Sequence, residues 1–384
     1  MNISGLTNKL KDMFKQEEDF NTLLSKASLE SVDGLIDAYN EKDYGEKEYG
    51  ELKNFLNKYP AVKNCRNYRK YLIIKNKNYE EYRKLEKERI IVSFTSYGTR
   101  INCVPLVVRD ILNQTLKADE VVLWLSNLQF NSEDDLPDKV KELIKENKLT
   151  VRFVDDDIRS HKKYYYAFRE YPDDIIITID DDLRYRKDMI EKLYMGYLDN
   201  PETIPSMRGH LITFDEDKNV LPYECWIKEI RHCMNKPSFQ IFGTTGAGTL
   251  FPPHLLKTDF FDTKVIKEKC LNADDLWLKA VELISDVPVM IVYYYYALEY
   301  IEGSQEESLA QINVTGNGNN EAMGNIEEYF DDHFSKGILK EKLLSKCEYK
   351  NAINLTGQKD VMDLVNRTYS TTKAELNKAR NTRG

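Results

Sequence analysis

The rhythm of apolar and polar positions changes near residue 89. Before it, apolar residues recur at helical spacing among Lys, Glu, Asn and Tyr, as in Leu52, Phe55, Leu56 and Tyr59, and Pro60 separates two of the helices this predicts. After it, short β-branched runs alternate with amphipathic stretches. Ile90–Thr95, Glu120–Leu125, Leu149–Val154 and Asp174–Ile179 read as strands. Helices are predicted from Val104, with Pro105 in the first turn, and over 134–147 and 160–170. Strands alternating with helices in this way imply βαβ units, right-handed crossovers and a mostly parallel sheet flanked by helices.

Beyond residue 182 the pattern predicts a helix over Lys187–Leu198, a strand over Met207–Phe214, a glycine-rich segment over Phe242–Phe251, a helix over Ala273–Ile284 and a strand over Val287–Ala297. Gly303–Asn320 reads as a loop, and residues from about 321 read as mostly helical. The organisation expected is a helical region over 1–88, an α/β domain over 89–302, and a loop and helical region over 303–384.

Composition narrows the classes. A net charge of −9 argues against general nucleic-acid binding, which needs clustered positive charge to neutralise phosphates. The cysteines, at 65, 103, 225, 233, 270 and 347, are scattered without a C-x-x-C pair, so free thiols in a reducing compartment are expected rather than a disulfide framework or zinc site. The opening residues lack the apolar core of a signal peptide, and no run reaches the roughly 18 apolar residues of a membrane span. A cytoplasmic location is expected. The tail over 361–384 carries Arg367, Lys373, Lys378, Arg380 and Arg383. It suits either a solvated end or contact with an anionic membrane surface at the inner face of the membrane.

The chemistry concentrates where the fourth strand ends. Asp180-Asp181-Asp182 puts three carboxylates at the carboxyl end of a buried strand, the edge where open α/β sheets bind ligands. Such a cluster needs a cation, hydrogen-bond donors or solvent to offset its charge, and a divalent metal is one resolution. Three other segments stand out. Thr95, Ser96 and Arg100 follow the first strand, in a segment that also suits an ordinary Ser/Thr turn. Asp155–Tyr164 places Arg159, His161, Lys162 and Lys163 at a helix start, where cations can meet a diphosphate or simply face solvent. Gly246-Ala247-Gly248 precedes Asp274-Asp275 at the next predicted helix start, a position that also favours acids through the helix dipole. Trp226 suits either an acceptor-stacking face or the core.

Together these motifs resemble GT-A nucleotide-sugar glycosyltransferases, including bacterial capsule-type and Fringe-like members, over roughly residues 89–300. The resemblance implies a Rossmann-like sheet with helical additions and a divalent Mn2+ or Mg2+ ion held by Asp180 and Asp182. It implies donor contacts from Thr95, Ser96, Arg100, Lys162, Lys163, Asp180 and Asp181, and acceptor contacts from Gly246, Ala247, Gly248 and Trp226. Asp275, beside Asp274, takes the place of the catalytic base, which implies inversion at the anomeric carbon. The expected partners are a nucleotide-sugar donor, most simply a UDP-sugar, and a glycan or lipid-linked acceptor of bacterial surface polysaccharide synthesis. Neither His254 nor His333 matches the histidine that many members add as a third metal ligand. A sugar-phosphate nucleotidyltransferase and a non-catalytic glycan-binding relative are the competing classes. The first would usually carry a glycine-rich loop after its first strand, where only Gly98 stands here.

Overall fold

The computed structural model describes residues 79, 80, 83, 87–230, 236–292, 298–304 and 318–345. The chain divides into two units, Met1–Glu88 and Arg89–Gly384. The expected helices before residue 79 and the basic tail over 361–384 lie outside the described residues, and the architecture below is that of the second unit.

The β-branched runs form the centre of a seven-stranded sheet in the order β3 (Thr150–Val154), β2 (Glu120–Ser126), β1 (Ile90–Thr95), β4 (Ile175–Thr178), β8 (Thr249–Phe251), β5 (Ile204–Ser206) and β9 (Val289–Ile291). The pairs β1–β2, β2–β3, β1–β4 and β5–β9 are parallel, and β8 runs antiparallel to both its neighbours. The continuous apolar character of β1 and β4 follows from burial on both faces, since parallel strands are covered by helices above and below. A separate antiparallel pair, β6 (Gly209–Leu211) with β7 (Ile241–Gly243), stands beside the main sheet.

Eight α-helices occur among the described residues. They are α1 (Val104–Leu112), α2 (Asp138–Lys145), α3 (Lys162–Glu170), α4 (Met189–Asp199), α5 (Thr263–Lys269), α6 (Asp274–Ile284), α7 (Gly318–His333) and α8 (Ile338–Ser345). Helix α3 packs on β1, β2 and β4, helix α4 on β5 and β8, and α6 carries α7 and α8 on its outer side. The cysteines at 103, 225 and 270 are free thiols. No described helix is long and apolar enough to cross a membrane.

Four sequence expectations change. The helix expected over 134–147 is split into a 3-10 turn at Glu133–Asp135, capped by Ser132, and α2, because Pro137 lacks the N–H needed to continue one helix through it. The strand expected over Met207–Phe214 shortens to β6, which pairs with β7 outside the main sheet, while the chain's place in the main sheet, β5, ends at Ser206. The last strand of the sheet begins at Val289 rather than Val287, and 293–297 lie outside the described residues. The expected loop ends early, since α7 begins at Gly318.

Register explains how the site is assembled. Ser93 pairs with Thr178 across the parallel β1–β4 ladder, so three residues further along each strand Ser96 meets Asp181. The chain after the acidic triad is then clamped from α1. Asp110, only 8% exposed, accepts from Arg184 Nε at 2.7 Å, from the Arg184 NH2 group at 2.9 Å and from the backbone N–H of Tyr185 at 3.1 Å. Gln114 extends the clamp, donating to the Arg186 carbonyl and accepting from the Ile190 N–H. Asp110→Ala leaves the Tyr185 N–H without its buried partner and should destabilise the fold by about 2–3 kcal/mol. Urea unfolding measures this, and Asp110→Asn, which keeps one acceptor, should lose less.

Candidate active site

Three short segments and one buried lysine converge beyond the carboxyl ends of β1 and β4. The members of the acidic triad have separate environments. Asp181 is buried, accepting from Ser96 Oγ at 2.5 Å and pairing with Arg100 at 2.5 Å. Burial raises its carboxyl to about 7, against the lowering effect of Arg100 and Ser96. Asp182 meets the same Arg100 NH2 group at 2.7 Å. Burial opposes the charge on Arg100, but Asp181 and Asp182 outweigh it and hold the guanidinium protonated beyond its ordinary range. Arg100 reaches both carboxylates because it sits on the tight 3-10 turn Gly98–Cys103, which Gly98 enters at a φ of 49°.

Asp180 is the open member, with its side chain 38% exposed. Its backbone N–H points to the Tyr185 hydroxyl at 2.8 Å, and that hydroxyl donates to the Gly246 carbonyl at 2.6 Å. Gly246 leaves room for Asp180: a Cβ on it would lie 1.8 Å from Asp180 Oδ2 and displace that side chain. Gly248, at a φ of 108°, turns the chain back into β8.

Lys163 joins this strand end to α6. Its ammonium, 3% exposed, lies 2.8 Å from Asp180 Oδ1 and 2.9 Å from Asp274 Oδ2. Burial works against its charge, but Asp180, Asp274 and Asp275 outweigh that and hold it protonated. Asp275 Oδ1 accepts from the Thr245 N–H at 3.0 Å and the Thr245 hydroxyl at 2.6 Å. Burial, reinforced by the adjacent Asp274, raises the Asp275 carboxyl to about 7. A carboxyl poised there can take a proton near neutral pH.

The other expected site residues are placed as follows. Thr95 donates to the Trp124 carbonyl at 2.8 Å. Lys162 is buried and pairs with Asp157, so its ammonium and that of Lys163 have different partners. His161 is buried and neutral: burial lowers it to about 4, and its ring bridges the Tyr164 hydroxyl and the Cys270 carbonyl. Arg159 is exposed at the start of the turn. Ala247 is buried beside Gly246. Trp226 is 2% exposed, packed against Tyr223 and Phe242, with its indole N–H on the Leu221 carbonyl, so the structure assigns it to the core rather than to an open stacking face. His254 pairs with Asp173 at the surface, and His333 stacks on Tyr329.

Sequence reasoning missed Thr245, Tyr185 and Arg208. Thr245 lies within the glycine-rich segment and was legible only as a spacer. Arg208 follows β5, pairs with Glu229 at 3.0 Å and donates to Thr244 Oγ1 at 3.2 Å. No spacing in the sequence marks it. Tyr300, half exposed, lies within electrostatic reach of Arg208, Asp182 and Asp180.

Among the described residues, no group of three or more His, Cys, Asp or Glu side chains is placed to hold a metal ion. The donor set nonetheless suits a hard divalent cation bound jointly with a ligand. Asp180 and Asp182 offer carboxylate oxygens alone, and the remaining positions can be filled by phosphate oxygens and water. Asp180, Asp182 and Asp274, with Asp181 and Asp275 raised toward neutrality, here face the half-buried Arg100 and the buried Lys163, an excess of acid that favours added positive charge.

Residues 90–258 match the family model described as Glycosyl transferase family 2. The segment runs from β1 past the acidic triad and ends before α5, so Asp274 and Asp275 lie beyond it. The matched segment carries most of the parallel, helix-flanked sheet, and it is similar to that family over these residues. No curated protein sequence matches the chain. Similar solved structures include S. aureus TarS 1-349 in complex with UDP, at 10% identity and a TM-score of 0.41, covering 67% of this chain and 70% of that one. The mannosyltransferase PcManGT from Pyrobaculum calidifontis, in complex with GDP-Man and Mn2+, has 14% identity and a TM-score of 0.38 over 67% and 72% of the two chains. A 4-diphosphocytidyl-2C-methyl-D-erythritol synthase from Anaerococcus prevotii has 12% identity and a TM-score of 0.34 over 57% and 94%.

The Gly246 contact yields a direct test. Gly246→Ala should push Asp180 from its position against Lys163 while adding one methyl group of crowding, at about 1–3 kcal/mol. Whatever activity the site carries should fall by at least about tenfold, the equivalent of about 1.4 kcal/mol. Thermal unfolding beside a rate assay separates the two effects.

Proposed function

We propose that this protein transfers a sugar from a nucleotide-sugar donor, a UDP-sugar in the simplest case, to a hydroxyl of a glycan or lipid-linked acceptor in bacterial surface polysaccharide synthesis, with inversion at the anomeric carbon. One observation carries the reading. The Lys163 ammonium lies within 2.9 Å of both Asp180 and Asp274, which brings the carboxylates at the end of β4 and the acidic start of α6 into one site.

The roles divide across that site. Asp180 and Asp182 would hold a divalent ion together with the donor diphosphate, and the ion would supply Lewis-acid stabilisation of the departing phosphate charge. Asp181 keeps Arg100 in place beneath them. Thr95 and Ser96 line the end of β1 on the nucleoside side, and Gly246 to Gly248 allow backbone to approach the sugar and acceptor. Asp275 accepts the proton of the acceptor hydroxyl as its oxygen bonds to the anomeric carbon. The bond from that carbon to the diphosphate breaks, and its electron pair leaves with the nucleoside diphosphate. A base and leaving group on opposite sides of the carbon give a single displacement and an inverted product.

The test is a panel of nucleotide sugars with and without Mn2+, followed by nucleoside diphosphate release. A parallel arm supplies UTP and a sugar 1-phosphate, and pyrophosphate release there would favour the nucleotidyltransferase class. Asp275→Asn should reduce transfer by about 10²–10⁴ while leaving donor affinity nearly unchanged. Asp182→Asn should weaken calorimetric binding of Mn2+ with donor. Because Asp275 must be ionised to accept a proton and its carboxyl stands at about 7, transfer should rise with pH through that value and fall below it. Proton NMR of the first-formed product tests inversion, and a retained anomeric configuration would refute it.

A further inference from the structure

Asp274 and Asp275 open α6 side by side, and two like charges in one helical turn do not both ionise freely. Their partners are unequal. Asp274 has the buried Lys163 ammonium at 2.9 Å, with the Thr245 hydroxyl at 3.4 Å as a weak addition. Asp275 has only neutral donors, the N–H and hydroxyl of Thr245. The titratable groups facing the pair from neighbouring elements are Lys163 and Tyr164 on α3, His161 before it, Cys270 at the end of α5 and Tyr223 on the turn after Pro222. Burial holds His161, Tyr164, Cys270 and Tyr223 in their neutral forms, which leaves Lys163 as the charged group that distinguishes the two acids.

Resting on the transferase reading above, we propose that Lys163 is a positioning residue that fixes Asp274 as the ionised member of the pair and so leaves Asp275 as the member that takes the proton. Its second bond, to Asp180, keeps the ammonium from following Asp275. The electrostatics agree: burial opposes charge on Asp274, but Lys163 outweighs it and holds that carboxyl below its ordinary range, whereas Asp275 is raised. A lysine serving as a diphosphate ligand would instead need its N–H groups turned to the donor, and here two carboxylates and burial to 3% exposure engage them.

The full-length protein with carboxyl-labelled aspartate, followed by carbon NMR without any donor, reads this assignment directly. Asp275→Asn identifies the resonance. Lys163→Met should move the Asp274 titration, identified by Asp274→Asn, upward by about 1–3 pH units, the size of effect an opposite charge in contact exerts, and the Asp275 titration upward with it. Lys163→Arg should hold both near their wild-type values, and adding Asp274→Asn to Lys163→Met should bring the Asp275 titration back down. Should Lys163→Met fail to fold, Asp274→Asn alone decides, because losing the neighbouring charge should lower the Asp275 titration by about one unit or more. An Asp275 titration unmoved by Lys163→Met, or by Asp274→Asn, would overturn the proposal. These readings need no substrate. A protein that shows the expected titrations but releases no nucleoside diphosphate from any donor would reject the transferase reading while leaving the role of Lys163 in the pair intact.

Discussion

The buried ammonium of Lys163 is the interaction on which the site depends. A lysine at 3% exposure is strongly disfavoured unless carboxylates surround it, and Asp180 and Asp274 do so from two elements far apart in sequence. The same contacts relieve the carboxylates, which without the ammonium would repel one another in a low-dielectric setting. Removing the lysine therefore leaves Asp274 without its cation, and removing either acid leaves the buried ammonium with one partner. That mutual need ties the end of β4 to the start of α6 more firmly than loop packing could.

The scaffold around Lys163 works to keep Asp180 in reach. Its side chain is offered by α3, whose packing on β1, β2 and β4 puts the first helical turn above the strand ends. The Ser93 hydroxyl, buried in β1, donates to the Lys163 carbonyl at 2.5 Å and accepts from the Trp124 indole, so the backbone of the lysine is fixed from below. Tyr185 fixes the Asp180 backbone from the other side by bridging it to the Gly246 carbonyl, and Asp110 fixes Tyr185 in turn. A polar side chain in a central strand would ordinarily weaken the core. Here Ser93 is satisfied on both counts and positions a charged residue seventy positions away in the chain.

Much of this was legible from the sequence, for identifiable reasons. The strands β1 to β4 were visible because burial on both faces imposes unbroken β-branched runs, and the acidic triad stood out because three adjacent carboxylates at such a strand end demand compensation. The pairing of Asp274 and Asp275 with the glycine-rich segment also came through, as Gly246 and Thr245 contact Asp180 and Asp275. Which cation compensates which acid was not legible. Lys162 and Lys163 are neighbours in sequence, but a helix directs consecutive side chains about 100° apart, so one meets Asp157 and the other the triad. Trp226 was ambiguous because an aromatic flanked by Cys225 and Ile227 reads alike in a core and at a binding face. The shortening of 207–214 to β6 was hidden because passing from the main sheet to the small one leaves the apolar pattern intact.

Asp274 and Asp275 at a helix start need not be assigned either to the helix or to chemistry, because the two uses draw on the same field. The positive end of α6 favours a negative charge in its first turn, yet that gain is modest, roughly 0.3–1 kcal/mol in exposed settings. Burial of Asp275 acts in the opposite direction and dominates, since its carboxyl stands well above the ordinary range despite the dipole and despite two hydrogen bonds from Thr245. If the acids served the helix alone, a solvated first turn would have sufficed, as at Asp138 on α2. Instead the chain half-buries both and gives Asp274, but not Asp275, a direct ion pair with Lys163. That asymmetry has no use in capping a helix, and it suits the role proposed for Asp275 as a proton acceptor beside a fixed charge.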